Sequence, residues 1–188
     1  EPGTNPGFLY QQNTMRDALV AALTLNIFNR HADGVAMANI AQIVNVLQAV
    51  ILTEGEKMLL TPTYHVFEMY KGHQNATLLE SWVETHDVGD DKVQLPNLQQ
   101  SASVDENGRI LVTVANISLK DSETLAVSVP GKEQAKVSVR VLTGSMDAHN
   151  TFDAPETVKP VDWTDYKQEN GVLTVTVPPC SVTAITLD

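Results

Sequence analysis

Cysteine, aromatic residues and basic residues are all scarce in this 188-residue chain, and each scarcity argues against a class of protein. The single cysteine, Cys180, excludes an internal disulfide, and its apolar neighbours predict a small core residue. Aromatic residues make up 5% of the chain, which gives little support for a polysaccharide-binding platform made of a row of exposed rings. Twelve Lys and Arg residues against 23 Asp and Glu residues give a formal net charge of -11, which argues against nucleic acid and anionic membranes as partners.

Long hydrophobic runs and an apolar signal sequence are also missing. No run is long enough to cross a bilayer, and the chain starts at Glu1 without an initiating Met. We therefore expect a soluble piece of a longer protein. The sequence does not choose between the bacterial cytoplasm and the periplasm or exterior.

The usual catalytic motifs are not found either. The five histidines form no HExxH or HxH pair, and the chain has no Gly-x-Ser-x-Gly turn and no glycine loop for phosphate. We expect no metal and no cofactor. Glu54 and Glu56 lie in a loop-like stretch that predicts solvated charge, and Trp82 and Trp163 fit core or interdomain packing better than sugar stacking.

The first part of the chain has an α/β pattern. Residues 14–32 predict a helix, with Thr14 and Asp17 as an approximate capping box and an apolar face that includes Met15 and Leu19. Residues 35–41 predict a short buried strand, and Thr61-Pro62 predicts the start of a second helix that runs to about Gly72.

After His73 the pattern changes to alternating β-branched residues. Such alternation predicts strands, here at 110–116, 125–130, 136–142, 172–178 and 181–187. Turn signals such as those at 105–108 and 169–171 separate them, as in an antiparallel sandwich or jelly roll. The second part is predicted to be an all-β domain.

Residues 35–50 carry four amides in an uncharged apolar segment, and two explanations compete. The amides are spaced by three residues, which favours the solvent-exposed face of a surface helix; they are Asn39, Gln42, Asn45 and Gln48. However, a surface helix normally uses charged residues for that face, and an uncharged polar row also fits a half-buried site for neutral hydroxyl groups. The pattern alone leaves both explanations open.

Several long motifs resemble one family of enzymes. They are EPGTNPGFLYQQNTMRDALVA at the start, RHADGVAMANIAQIVNVLQAVILTEGEKMLLTPTYHVFEMYK after it, and AHNTFDAPETVKP and VPPCSVTAITL near the end. Together they resemble the C-terminal part of the family 51 α-L-arabinofuranosidases. These are retaining glycoside hydrolases built from a (β/α)8 barrel and a β-sandwich.

The resemblance implies that residues 1–75 are the last strand and helices of an incomplete (β/α)8 barrel and that residues 76–188 are the C-terminal β-sandwich domain. The family's substrate-binding glutamine in the A-Q-x-V-N motif corresponds to Gln42. Asn39 and Asn45 are weaker candidates for the same pocket, whereas Gln48 is expected to be structural. Tyr10 and Gln11 are candidates for the rim of the site.

The family's two catalytic glutamates would lie upstream of Glu1, so the resemblance implies no catalytic residue in this chain. Retaining hydrolysis needs two carboxyl groups about 5–5.5 Å apart. We therefore expect the chain alone to be inactive. The implied partners are arabinofuranosyl-containing glycans, the upstream barrel and further copies of the parent enzyme. The alternative function is a non-catalytic carbohydrate-binding or assembly module.

Overall fold

The computed structural model describes residues 13–188. Two helices lie near the start, and the rest of this part of the chain is mostly antiparallel sheet. No helix among these residues is long and apolar enough to cross a membrane.

Helix α1 (Met15–Arg30) confirms the first predicted helix. The Asp17 carboxylate accepts a hydrogen bond from the Thr14 backbone N–H at 2.8 Å, which is the bond that Asp17 makes in a capping box, and it also accepts one from the Thr14 hydroxyl at 2.9 Å. Met15 and Leu19 are buried on its inner face. Helix α2 (Pro62–Tyr70) confirms the second, and a short 3-10 turn (Lys71–His73) extends it to the predicted end.

Thirteen strands fall into four antiparallel sheets within the described residues. A six-stranded sheet has the order β10-β9-β13-β7-β6-β3, a three-stranded sheet has the order β11-β12-β8, and β1 with β2 and β4 with β5 form two hairpins. The strands are β1 (Ile51–Glu54), β2 (Lys57–Leu60), β3 (Thr77–Leu79), β4 (Asp87–Gly89), β5 (Gln94–Pro96), β6 (Leu98–Val104), β7 (Ile110–Asn116), β8 (Glu123–Val127), β9 (Val137–Thr143), β10 (Val161–Asp162), β11 (Tyr166–Glu169), β12 (Val172–Val177) and β13 (Ser181–Leu187).

The six-stranded sheet is the middle layer of three. Because side chains alternate along a strand, its two faces carry different residues. One face packs on the three-stranded sheet in a core that includes Val114, Val141 and Ile185. The opposite face packs on α1 and α2 in a second core that includes Leu142 and Val182. The predicted antiparallel sandwich is therefore confirmed, and all five strands that the alternation predicted are present.

A buried polar network joins the helices to the sheet. The Asn26 side-chain oxygen accepts hydrogen bonds from Tyr70 (3.0 Å), Ser101 (2.9 Å) and Thr113 (2.9 Å). The two ring nitrogens of His73 lie 2.7 Å from the Ser103 hydroxyl and 3.0 Å from the Thr113 hydroxyl. These contacts fix how α1 and the 3-10 turn sit on strands β6 and β7.

The prediction of a strand at 35–41 is wrong. The alternative of a surface helix through the four amides of residues 35–50 is also wrong. Residues 35–50 form neither, although Val44 makes one isolated parallel bridge to Ile51. A strand needs hydrogen bonds to a neighbour, and none of the described strands pairs with 35–41. Left-handed backbone at Asn45 (φ 61°) and Leu47 (φ 57°) also interrupts any helix.

No barrel strand is therefore found in residues 13–188, and the α/β part of the predicted fold class is not observed there. The boundary predicted at residue 75 stays a prediction. Helices α1 and α2 share a core with strands from beyond that boundary, including Ala115 and Leu142.

Candidate functional site

The amide-bearing segment 35–50 links α1 to the β1–β2 hairpin. Its second half is tied to the start of β1, because the Ile51 N–H donates to the Ile43 carbonyl at 3.0 Å and the Asn45 N–H donates to the Ile51 carbonyl at 3.1 Å. The buried side chain of Asn13 connects the end of this segment to the start of α2. Its nitrogen lies 3.5 Å from the Ala49 carbonyl, and its oxygen accepts from the Thr63 hydroxyl at 2.6 Å.

Two of the four amides are used inside the protein. The Asn45 nitrogen donates to the Thr53 hydroxyl at 2.8 Å, and its oxygen accepts from the Thr53 backbone N–H at 2.7 Å. The Gln48 nitrogen donates to the Asp17 carboxylate at 3.1 Å. These contacts match the structural role expected for Gln48, and they give Asn45 a local structural role.

The other two amides, Gln42 and Asn39, are exposed. Neither makes a hydrogen bond to the part of the chain that the structure describes. Gln42 follows Ala41 and precedes the exposed Ile43, so the A-Q-x-V-N motif lies at the surface of residues 13–188. Within the described residues, Gln42 and Asn39 are thus unpaired, while Asn45 and Gln48 hold the backbone of the segment in place.

The remaining candidates from the start of the chain lie outside the described residues. Tyr10 and Gln11, the candidates for the rim of the site, belong to residues 1–12. They stay predictions.

The pKa shifts of the carboxyl groups do not point to a general acid in residues 13–188. A general acid near neutral pH needs a raised pKa. Burial alone would raise the pKa of Glu68, but Arg140 and Lys71 outweigh it and lower the pKa. Hydrogen bonds donated to the carboxylate lower the pKa of four exposed acids and of the half-buried Asp105; the exposed acids are Asp90, Glu133, Asp147 and Glu156.

Other sequence-based expectations have mixed outcomes. Cys180 is a buried core residue, as predicted, and burial raises the pKa of its thiol. Glu54 and Glu56 are exposed at the β1–β2 hairpin, in agreement with solvated charge. Trp163 is half-buried, and its indole N–H donates to the Thr176 carbonyl at 2.9 Å.

Trp82 does not pack in a core, and that expectation is wrong for the described residues. Its side chain is 84% exposed. The reason is its place in the fold, because Trp82 lies in the irregular segment 80–86 between the edge strand β3 and β4 and belongs to no sheet face. Its predicted interdomain packing stays a prediction.

Sequence reasoning missed Asn13, which supports the segment that carries Gln42. The available signal was a short amide residue immediately before the N-cap of a predicted helix. Such residues often bond to nearby backbone. In the structure it is buried and contacts both ends of the 49–63 region.

Comparison with known proteins assigns the class. Residues 1–181 match the profile of the family described as the alpha-L-arabinofuranosidase C-terminal domain. The chain is 40% identical over 190 residues to an intracellular exo-alpha-L-arabinofuranosidase of Bacteroides ovatus, and the match covers 100% of this chain and 37% of that protein.

Solved structures agree. The chain superimposes on the GH51 arabinofuranosidase from Xanthomonas axonopodis pv. citri with a TM-score of 0.94 and 42% identity, over 100% of this chain and 38% of that one. The thermostable GH51 alpha-L-arabinofuranosidase from Thermotoga petrophila gives a TM-score of 0.82 and 27% identity, over 96% and 40% of the two chains. The fold is that of a mostly antiparallel, sheet-rich portion of GH51 glycoside hydrolases.

The chain belongs to the alpha-L-arabinofuranosidase C-terminal domain family. It spans less than two-fifths of the length of the Bacteroides and Xanthomonas proteins. Both of those proteins are named as arabinofuranosidases.

Proposed function

We propose that this chain is the C-terminal part of an α-L-arabinofuranosidase that removes terminal, non-reducing α-L-arabinofuranosyl groups from polysaccharides or oligosaccharides. The family assignment over residues 1–181 supports this function, and so does the exo-acting relative from Bacteroides ovatus. The reaction proceeds with retention of configuration, and its two catalytic glutamates lie in the catalytic barrel of the parent protein.

In this proposal Gln42 binds a hydroxyl group of the arabinofuranosyl unit. The observation that supports it is the division of the four amides, because Gln42 is exposed and has no hydrogen-bond partner within residues 13–188, whereas Asn45 and Gln48 each have one. An amide can donate and accept at once, so it can bind a neutral hydroxyl group without burying a charge. Asn39 is the second candidate for the same surface.

We also propose that segment 35–50 and the outer face of α1 pack against the catalytic barrel. Five large apolar side chains are exposed there, namely Val20 (58%), Ile27 (42%), Met37 (76%), Ile43 (66%) and Val44 (43%). Apolar side chains that are exposed as a group are often covered by another part of the protein, and the proposal assigns that role to the barrel. The arrangement would bring Gln42 to the pocket formed by the barrel loops, and assembly of the parent enzyme into homo-oligomers stays a prediction.

The test is Gln42→Ala in the full-length enzyme, assayed with a chromogenic α-L-arabinofuranoside. We expect kcat/KM to fall by about 10- to 1,000-fold, which corresponds to about 1.4–4 kcal/mol of lost transition-state binding. Gln48→Ala is the matched control, because Gln48 contacts Asp17 and should leave kcat/KM nearly unchanged. Equal activity of wild type and Gln42→Ala would remove Gln42 from the site.

A second measurement tests where the catalytic pair lies. The purified 188-residue chain should release no arabinose from the same substrate, while the full-length enzyme should release the product first as the same anomer as the substrate. Turnover by the short chain, or inversion by the full-length enzyme, would contradict the assignment.

A further inference from the structure

A small groove lies on the helix-facing side of the six-stranded sheet, where the helix layer ends. Its volume is about 200 Å³, and it is bounded by the end of α2, the 3-10 turn and strands β7, β9 and β13. Its floor is a patch of paired strand residues, in which Ser138 lies beside Thr186 and Arg140 lies beside Ala184. Segment 35–50 joins the hairpin that leads into the opposite end of α2, so the nine-residue helix separates the two regions by about 13 Å.

The groove concentrates positive charge in an acidic chain. Lys71, Arg109 and Arg140 line it together with two carboxylates, Glu68 and Asp105. Three of the 12 basic residues of the whole sequence therefore meet in one place, although the formal net charge of the chain is -11. Three cations and two anions line the groove, and a third anion, Asp188, pairs with Arg109, so the local charge is balanced in a chain that is otherwise strongly acidic.

Hydrogen-bond donors exceed acceptors at this groove. Both oxygens of Glu68 are occupied, one by Arg140 at 2.9 Å and the other by Lys71 at 3.4 Å. An arginine has five N–H donors. Within residues 13–188 the Arg140 guanidinium uses one nitrogen for Glu68, and the Arg109 guanidinium uses one for Asp188 at 2.7 Å.

These ion pairs leave the cations accessible. The side chains of Arg140, Arg109 and Lys71 are 41%, 58% and 73% exposed. Exposed ion pairs contribute only about 0–1 kcal/mol each, so they do not prevent a ligand from binding the same groups. The free donors favour a ligand that is rich in acceptor oxygens and negatively charged.

The floor of the groove indicates that the ligand also has an apolar surface. Met69, Leu111 and Ala184 are buried beneath it, and Ser138 and Thr186 place two hydroxyl groups beside them. Inorganic phosphate has no apolar surface to cover such a floor. The volume is below the range of about 300–1,000 Å³ for drug-sized ligands, so a single small ring is the appropriate size.

We propose that this groove binds a small cyclic compound that carries a carboxylate, of which a hexuronic acid is the simplest carbohydrate example. The carboxylate binds the guanidinium of Arg140 and the ammonium of Lys71, the face of the ring covers Leu111 and Ala184, and the ring hydroxyl groups bond to Ser138 and Thr186. The site is separate from Gln42 and does not depend on the proposed hydrolysis.

Saturation-transfer NMR on the full-length protein tests the proposal with a matched pair of sugars. D-Galacturonate and D-galactose differ at the group that the cations would bind, a carboxylate in one and a hydroxymethyl group in the other. We expect D-galacturonate to bind about tenfold more tightly or better, because a charge-assisted bond is made only by the acid. Equal affinities would overturn the proposal.

Three substitutions locate the binding site. Arg140→Met and Lys71→Met should each weaken D-galacturonate binding, by about tenfold for Arg140. Arg30→Met removes an exposed charge at the end of α1, outside the groove, and should have no effect. Lys71 is 73% exposed, so its replacement keeps the test valid if Arg140→Met fails to fold. Unchanged binding in both groove variants, or an equal loss in Arg30→Met, would contradict the site. Gln42→Ala should leave D-galacturonate binding intact, which separates this test from that of the hydrolase.

Discussion

The two faces of the six-stranded sheet are built on different principles. The face toward the three-stranded sheet is almost entirely aliphatic, with Val112, Val114, Val141 and Ile185 in its core. The face toward the helices mixes aliphatic residues with the hydroxyl groups of Ser101, Ser103 and Thr113, which bond to Asn26 and His73. The Tyr70 hydroxyl donates to the same Asn26 side-chain oxygen.

The difference shows how one sheet serves two purposes. Burial of aliphatic side chains contributes about 25 cal/mol for each Å² removed from water, but it tolerates small shifts between layers. A buried hydrogen-bond network is satisfied in one arrangement only, so a shift would leave donors unpaired at a cost of about 1–3 kcal/mol each. The aliphatic face holds the sandwich together, and the polar face sets the position of α1, the helix that leads into segment 35–50.

The largest expected effect comes from Asn26→Ala, which removes the shared acceptor of the polar face. Asn26 is fully buried and accepts from three side chains. We expect the free energy of unfolding to fall by about 3–4 kcal/mol in denaturant titrations. Asn29→Ala, which loses one bond to the Ser101 hydroxyl, is the control and should cost about 1 kcal/mol. A loss below 1 kcal/mol for Asn26→Ala would show that the network does not stabilise the interface.

His73 should make the stability of the folded protein depend on pH in the acid range. Burial lowers the pKa of His73 from its ordinary value of 6.5 to about 4. The unfolded chain therefore takes up a proton at a higher pH than the folded chain, so the stabilisation is complete above pH 6.5 and is lost as the pH falls toward 4. The loss amounts to about 3 kcal/mol.

His73→Gln is the variant that isolates this effect, because an amide keeps hydrogen bonding and does not titrate. We compare the free energy of unfolding of the two proteins. The value for wild type minus the value for His73→Gln should fall as the pH is lowered from 6.5 to 4. Parallel pH profiles for the two proteins would contradict the assignment. Other groups, including His65 and Glu68, titrate in both proteins and cancel in the difference.

The smallest expected change in stability comes from replacing one threonine by valine on each face of the six-stranded sheet. Thr183 is buried, and its hydroxyl is the only buried side-chain polar atom among the described residues that lacks a hydrogen-bond partner. Thr183→Val should therefore stabilise the protein by about 1 kcal/mol. Thr113→Val, the same change on the helix-facing side, breaks the bonds to Asn26 and His73 and should destabilise it by about 1–3 kcal/mol.

Thermal unfolding of these two variants gives the direct answer. Opposite signs of the change in Tm would confirm that the faces differ in kind. The same sign for both would mean that the two faces respond alike.

The sequence predicted those parts of the fold in which local pattern and tertiary setting agree. Strand β7 and strand β13 alternate in β-branched residues and were predicted with their observed bounds. Strand β6, with the sequence Leu-Gln-Gln-Ser-Ala-Ser-Val, was missed because its polar residues resemble a loop. Those residues are polar because Ser101 and Ser103 belong to the network under the helices, which only the folded protein reveals.

The candidate site was less predictable from pattern. The spacing of the amides suggested a helix, whereas Asn45 takes a left-handed backbone and closes the segment onto Thr53. Gln42 was selected by resemblance to a family motif and not by periodicity. Which amides have partners depends on tertiary contacts. Gln48 bonds to Asp17, 31 residues away in the sequence, and Asn45 bonds to Thr53, 8 residues away.

The capping of α1 also has a consequence for the order of folding. The N–H groups of Met15 and Arg16 donate to the carbonyls of Ala148 (2.8 Å) and Met146 (3.0 Å), and Asn26 bonds to Thr113, 87 residues further along the chain. On a growing polypeptide, α1 leaves the ribosome long before these partners are made. Closing such long loops is entropically costly and gives a high contact order, which slows folding. The segment that carries Gln42 is therefore expected to reach its final position late, after β9 and the turn that follows it have formed.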